Sequence, residues 1–188
     1  QLEDAGFRLI DTNVQLDRPL SGTWPDARLA DDYEIRLSQP DDRVGVEQIA
    51  RTSFVYTRFH LDPNVPSKAA NELKGAWAGN FFTGKRGEQM VVATYHGQPV
   101  GFLQLLERSK TFIIDLIAVD KAYQGHGLAT AMIAFAVQNA PKATTTMLVG
   151  TQIANTPSLR AYEKLGFRVC DSSYVFHYHG PIDLAAAA

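Results

Sequence analysis

Cysteine is almost missing from this sequence. Cys170 is the single one in 188 residues, so no disulfide can close within the chain and no thiolate cluster is available for zinc. Long apolar runs are missing too: no stretch approaches the ~18–20 consecutive apolar residues of a membrane-spanning helix. Lys and Arg never gather into a run, and the formal charge is -2. Binding to nucleic acid or to an anionic membrane through a basic patch therefore has no support. The histidines, His60, His96, His126, His177 and His179, show no ligand spacing backed by thiols or carboxylates, and no metal is expected. No secretory leader is legible, and the expectation is a soluble, cytoplasmic protein. The start at Gln1 without Met and the run Ala185–Ala188 suggest an incomplete or edited chain.

What is present points to one α/β domain with a small appendage. Hydrophobic residues make up 45% of the chain, an ordinary share for a globular protein. The organising stretch is 111–139. Phe112 to Val119 is apolar and β-branched and reads as a buried strand. A turn at Asp120–Tyr123 leads into Gln124-Gly125-His126-Gly127-Leu128-Ala129, and from Leu128 to about Gln138 the composition is that of a buried helix. Strand, glycine-rich turn and helix form a unit that receives a pyrophosphate. The glycines let the main chain come close, and the helix start offers unpaired N–H groups.

Spacing separates the families that use such a unit. A P-loop wants Lys and Ser/Thr after its second glycine, where Leu128 and Ala129 stand. A dinucleotide fold wants a third glycine at Thr130 and an acidic residue about 20 positions on, and neither is present. The pattern that fits is Q-x-x-G-x-[GA]. A second motif lies downstream: Asn155 or Thr156 caps a helix, Pro157 sits in its first turn, Tyr162 lies within it and Gly166-Phe167 follow its end. Together the two motifs resemble those of the GNAT superfamily of N-acetyltransferases, over about Tyr33 to His179 and most strongly over 112–168. The resemblance implies a mixed, mostly antiparallel twisted sheet flanked by helices.

Read in order, 1–31 is expected to be a remnant of a degenerate N-terminal half plus a linker, 32–180 the acetyltransferase domain and 181–188 a tail. Residues 2–16 echo 162–176, with Glu3/Glu163, Gly6/Gly166, Phe7/Phe167, Arg8/Arg168 and Asp11/Asp171 in step; each copy reads as a helix end, a glycine cap and a strand. Strands are expected at 33–38, 88–95, 98–106 and 144–150, with His96-Gly97 as a hairpin turn. Helices are expected at 42–52, capped by Ser38 or Asp41, and at 67–82.

Acetylating an amine from a thioester needs a neutral amine, a polarised carbonyl and a proton for the departing thiolate. Tyr162 is the candidate acid, since its phenol holds a proton at neutral pH. Asn155 lies about two helical turns earlier and can point to the same side. Asp115, four residues before Val119 and expected on its strand face, is the candidate base; it is equally able to bind an ammonium group or pair with an Arg. The resemblance implies that acetyl-coenzyme A is the co-substrate. It also implies that Ile117, Ala118 and Val119 pair with its pantetheine arm, that Gln124, Gly125, His126, Gly127, Leu128 and Ala129 cradle its pyrophosphate, and that Asn155 and Tyr162 reach its arm and sulfur. Cys170 is expected to be buried and inert.

The acceptor is the least legible part. The segment around Phe7–Leu16 together with Arg58-Phe59-His60-Leu61-Asp62 resembles the bacterial TDP-fucosamine acetyltransferase group, which implies the amine of a dTDP-linked amino-deoxy sugar. Arg58 suits a phosphate, Phe59 or Trp77 a base or sugar ring, and His60 or Asp62 hydroxyl groups. A peptide N-terminus and a non-catalytic coenzyme A-binding module remain the alternatives, and a homodimer is compatible with all three.

Overall fold

The computed structural model describes residues 2–25 and 28–180; the tail at 181–188 lies outside them. Seven strands and four helices follow in order. They are β1 (Phe7–Pro19), β2 (Tyr33–Leu37), α1 (Arg43–Ser53), α2 (Ser67–Phe82), β3 (Gln89–Tyr95), β4 (Gln98–Arg108), β5 (Thr111–Val119), α3 (Leu128–Gln138), β6 (Thr146–Gln152), α4 (Thr156–Lys164) and β7 (Arg168–Tyr178). The strands form one sheet in the order β2-β3-β4-β5-β6-β1-β7. Only β5 and β6 run parallel. Successive side chains of the central strands point to opposite faces of the sheet and feed two cores. Leu128, Met132 and Ile133 of α3 and Tyr162 of α4 cover one face. Val46, Ile49 and Ala50 of α1 and Ala78 of α2 cover the other.

The expected boundary at residue 31 does not coincide with a break in this sheet. β1 is hydrogen-bonded to β6 on one side and β7 on the other. At the start of the expected linker, residues 17–19 still belong to β1. Arg18 lies 3.8 Å over the ring of Trp24, whose own edge meets Phe167 at 5.9 Å. The echo between 2–16 and 162–176 has a structural counterpart. Gly6 and Gly166 both adopt left-handed φ, 87° and 81°, and the strands that follow them pair with each other. Residues 2–6 form turns rather than a helix. The N-cap of α1 is Asp42 in place of the expected Ser38 or Asp41, and its carboxylate accepts from the N–H of Gln39 at 2.7 Å, closing the short turn that leads into the helix.

Two irregularities in β5 create the space where ligands fit. Gln104 pairs with Leu116 while the next residue, Leu105, pairs with Ile114, so Asp115 is the extra residue of a β-bulge. The bulge switches the strand's faces. Phe112 and Ile114 join the core under α3 and α4, whereas Leu116 and Ala118 join the core under α1 and α2. The parallel pairing with β6 also stops at Ile114–Val149. Beyond that point the two strands part, and the gap between 115–119 and 150–152 opens on both faces of the sheet.

Candidate active site

Two cavities occupy this gap. The larger, about 660 Å³, runs from Ile117, Ala118 and Val119 along the turn to Gly125 and Gly127, and on to Asn155 and Tyr162. The smaller, about 240 Å³, lies on the α2 side between Arg58, Phe59, Lys74, Trp77 and Asp115. They share a wall that includes Phe54, Thr57, Ile117, Gln152, Asn155 and Tyr162. Tyr162 is therefore the junction.

The larger cavity joins a glycine turn to apolar and aromatic side chains, among them Phe54, Tyr56, Tyr123, Ile133 and Leu165. Gly125 and Gly127 have φ of +85° and +79°, values that a residue with a Cβ rarely adopts, and a Cβ at either would point into open space. Gly127 is the N-cap of α3, so the first N–H groups of that helix lack intrahelical acceptors and face the turn. Gln124 contributes by fastening the turn: its Nε2 donates to the carbonyl of Val119 at 3.0 Å. The His126 ring is absent from the cavity wall and lies 5.6 Å from the ring of Tyr33, which leaves its main chain as the part that belongs to the turn.

Tyr162 is 6% exposed, and burial pushes its phenol well above the ordinary value. A proton held so firmly favours hydrogen-bonding to a developing thiolate over early, complete transfer. Asn155 spends both ends of its amide locally. Its Oδ1 accepts from the N–H of Ser158 at 3.4 Å, capping α4, and its Nδ2 donates to Thr151 Oγ1 at 3.2 Å. It still lines both cavities.

Asp115 does not share a face with Val119, because the bulge intervenes. Ile117 and Val119 pack towards α3, whereas the Asp115 carboxylate turns to the α2 side. There it accepts a fork from Arg86 at 2.7 and 2.6 Å and a bond from Gln104 Nε2 at 3.0 Å. An amine would have to share this carboxylate with a guanidinium, which suits holding an ammonium group better than removing its proton.

Lys74 is the site residue that sequence reading missed. It is 7% exposed and stands over the rings of Trp77 at 4.4 Å and Phe54 at 5.0 Å. Burial first, then the nearby cations Arg58 and Arg86, push its pKa down to about 8 against the opposing pull of Asp115. The signal was a lysine one turn before Trp77 on the apolar face of a helix. Phe59 packs edge-on against Trp77 at 5.8 Å, and Arg58 sits 4.9 Å over Phe59. Since Arg86 offsets Asp115, Arg58 and Lys74 give this cavity a positive balance.

His60 is not part of the wall. Its Nε2 donates to Asn71 Oδ1 at 2.8 Å, so its Nδ1 accepts from Thr57 at 2.7 Å, and the ring staples the 54–62 loop to α2. Cys170 is exposed on β7 rather than buried, because β7 is an edge strand whose apolar-looking start has no cover. His177 and His179 converge on Asp62 behind the smaller cavity.

A model of the acetyltransferase (GNAT) family matches residues 45–167, which holds both motifs and both cavities. The chain belongs to that family. The family's acyl donor is acetyl-coenzyme A. Spore coat polysaccharide biosynthesis protein SpsD of Bacillus subtilis is 33% identical over 146 residues, covering 77% of this chain and 50% of that protein. A dTDP-fucosamine acetyltransferase of Escherichia coli is 26% identical over 176 residues, covering 92% of this chain and 72% of its own length. The chain thus spans half the length of the Bacillus relative. Among solved structures, a tandem GNAT protein from the clavulanic acid biosynthesis pathway matches with a TM-score of 0.64 at 17% identity, over 97% of this chain and 58% of that one. A GCN5-related N-acetyltransferase from Sphaerobacter thermophilus gives 0.62 at 17%, over 94% and 53%. At these identities the structures support the fold alone.

Proposed function

We propose that the chain transfers the acetyl group of acetyl-coenzyme A to a primary amine, that of a dTDP-linked amino-deoxy sugar. One observation carries the reading: a cavity with a glycine turn and a helix start at one end meets a cavity of cations and aromatic rings at a buried phenol. The first cavity takes the pyrophosphate on the Gly125–Ala129 turn and α3, and the pantetheine arm along Ile117–Val119. The second takes the acceptor. Arg58 and Lys74 face its diphosphate, and Phe59 or Trp77 lies against its base or sugar ring.

The amine sits near Asp115, which orients it, and loses its proton to water in the cavity before attack. Nitrogen adds to the thioester carbonyl and gives up its second proton to water, and the tetrahedral intermediate then collapses with cleavage of the carbon–sulfur bond. Tyr162 donates to the leaving sulfur as charge builds there. The names of the two relatives, one in polysaccharide synthesis and one a dTDP-fucosamine acetyltransferase, support the acceptor class.

Thiol release from acetyl-coenzyme A, followed with a panel of amines, tests the proposal. Turnover with dTDP-amino-deoxy sugars, well above that with peptide N-termini or polyamines, is the expected result. Efficient acetylation of peptide N-termini with no turnover of nucleotide sugars overturns the acceptor. No thiol release with any amine, despite tight acetyl-coenzyme A binding, points instead to a binding module.

A further inference from the structure

Behind the smaller cavity, three donor atoms from distant parts of the chain converge on one point. Asp62 closes the 54–62 loop with its side chain fully buried. One oxygen, Oδ2, lies 2.5 Å from His177 Nδ1 and 2.6 Å from His179 Nε2. The other, Oδ1, accepts from the N–H of Asn64 at 2.9 Å, which fixes the carboxylate plane. The three donors lie within 4.8 Å of one another. Exposure rises across the cluster, from nothing at Asp62 to 17% at His177 and 38% at His179, so one side of it faces solvent. None of the three lines either cavity.

We propose that Asp62, His177 and His179 form a binding site for a divalent transition-metal ion, with zinc as the best fit. Two imidazoles and one carboxylate are a borderline donor set, which suits zinc; the hard cations calcium and magnesium want mostly oxygen, and copper(I) wants sulfur. Tetrahedral zinc at ~2.0–2.2 Å from each donor sets its ligand atoms roughly 3.3 Å apart. The present nitrogen–oxygen separations open to that value by rotation of the imidazoles, most freely at exposed His179, and a solvent molecule completes the fourth position. The Asn64 N–H then plays the orienting part that ligating carboxylates require.

Such an ion ties the loop to the end of β7. His177 lies 5.9 Å from the ring of Phe59, which packs on Trp77, so the ion braces the wall of the acceptor cavity from outside. Its role is to hold the loop, and no reacting atom touches it. Sequence spacing gave no sign of it, because the two histidines lie 115 and 117 positions from Asp62.

The test is calorimetric titration of the chelator-treated full chain with zinc chloride, repeated with cobalt(II) followed by visible absorption. One zinc per chain, a rise in melting temperature on zinc addition, and a cobalt spectrum of low-coordinate type are expected. His179→Ala, at the exposed end, should fold normally and weaken zinc affinity at least tenfold; His177→Ala and Asp62→Asn should weaken it further if they fold. Zinc affinity unchanged in His179→Ala, or no saturable zinc binding by the unaltered chain, overturns the site.

Discussion

The two cavities share a wall, yet they are built in different ways. The larger, the proposed cofactor cleft, is centred on backbone features: a splayed strand, two glycines with left-handed φ and the open end of a helix. The smaller, the proposed acceptor cavity, is made by side chains from three separate elements. Arg58 and Phe59 come from a loop, Lys74 and Trp77 from α2, and Asp115 from a bulge. A cofactor that is always the same can be held by backbone geometry. An acceptor is better met by a surface that single substitutions can remodel, and a cation buried there, as Lys74 is, costs stability.

The largest expected effect falls on the wall both cavities share. Tyr162→Phe keeps the ring's packing and removes the donor, so kcat should fall by about 10²–10⁴ with little change in the binding of either ligand. Rapid-quench kinetics that isolate the chemical step check it, and an unaltered chemical rate would remove Tyr162 from the reaction.

Lys74 sharpens the contrast through stability. Its pKa drops from the ordinary 10.5 to about 8 on folding. Between those values the unfolded chain holds a proton that the folded chain lacks, so stability through this group rises as pH climbs from about 8 to 10.5. Below about pH 8 the whole cost is present, roughly 3 kcal/mol for a shift of this size. Lys74→Met should therefore raise stability by up to that amount at pH 7, read from urea unfolding, while weakening acceptor binding. In the unaltered chain the acceptor KM should rise above pH 8 as the ammonium deprotonates. Lys74→Arg should flatten that rise, since a guanidinium keeps its charge.

The next effect is confined to the cofactor cleft. Gly127→Val puts a branched side chain into the open space of the turn, at φ +79°. Acetyl-coenzyme A affinity should fall at least tenfold, about 1.4 kcal/mol. Circular dichroism verifies folding, with Gly127→Ala as the milder companion. Calorimetry that finds unchanged affinity in a folded variant would take the turn out of the site. The smallest effect is expected on the other side. Arg58→Ala should raise the acceptor KM several-fold and leave acetyl-coenzyme A binding as it is. Equal loss of both ligands would break the division between the cavities.

The same division decides what could be read from the sequence. The unit of β5, turn and α3 was legible because its signals are local: an apolar run of strand length, glycines where the backbone turns left-handed, and an alanine-rich helix ending at Gln138. The hairpin at His96-Gly97 was legible for the same reason, as both residues take positive φ. The insertion of β1 between β6 and β7 was not, since it rests on pairings across more than a hundred residues. Nor was the bulge at Asp115: the residues on both sides of it are a continuous apolar run with no period to break, and only the packed structure shows that their faces switch. His60 and His126 stood in motif positions, but neighbours outside the motifs, Asn71 and Tyr33, set where their rings point. Cys170 looked buried because strand composition does not distinguish an edge from the middle of a sheet.

The most direct measurement is a crystal structure of the chain with both coenzyme A and a dTDP-amino-deoxy sugar bound. The predicted result places the sulfur within hydrogen-bonding reach of the Tyr162 hydroxyl, the pyrophosphate of the cofactor on the Gly125–Ala129 turn, and the sugar's diphosphate beside Arg58 and Lys74. Coenzyme A lying across Trp77 and Arg58, or a nucleotide sugar bound away from Asp115 and Tyr162, would contradict the account.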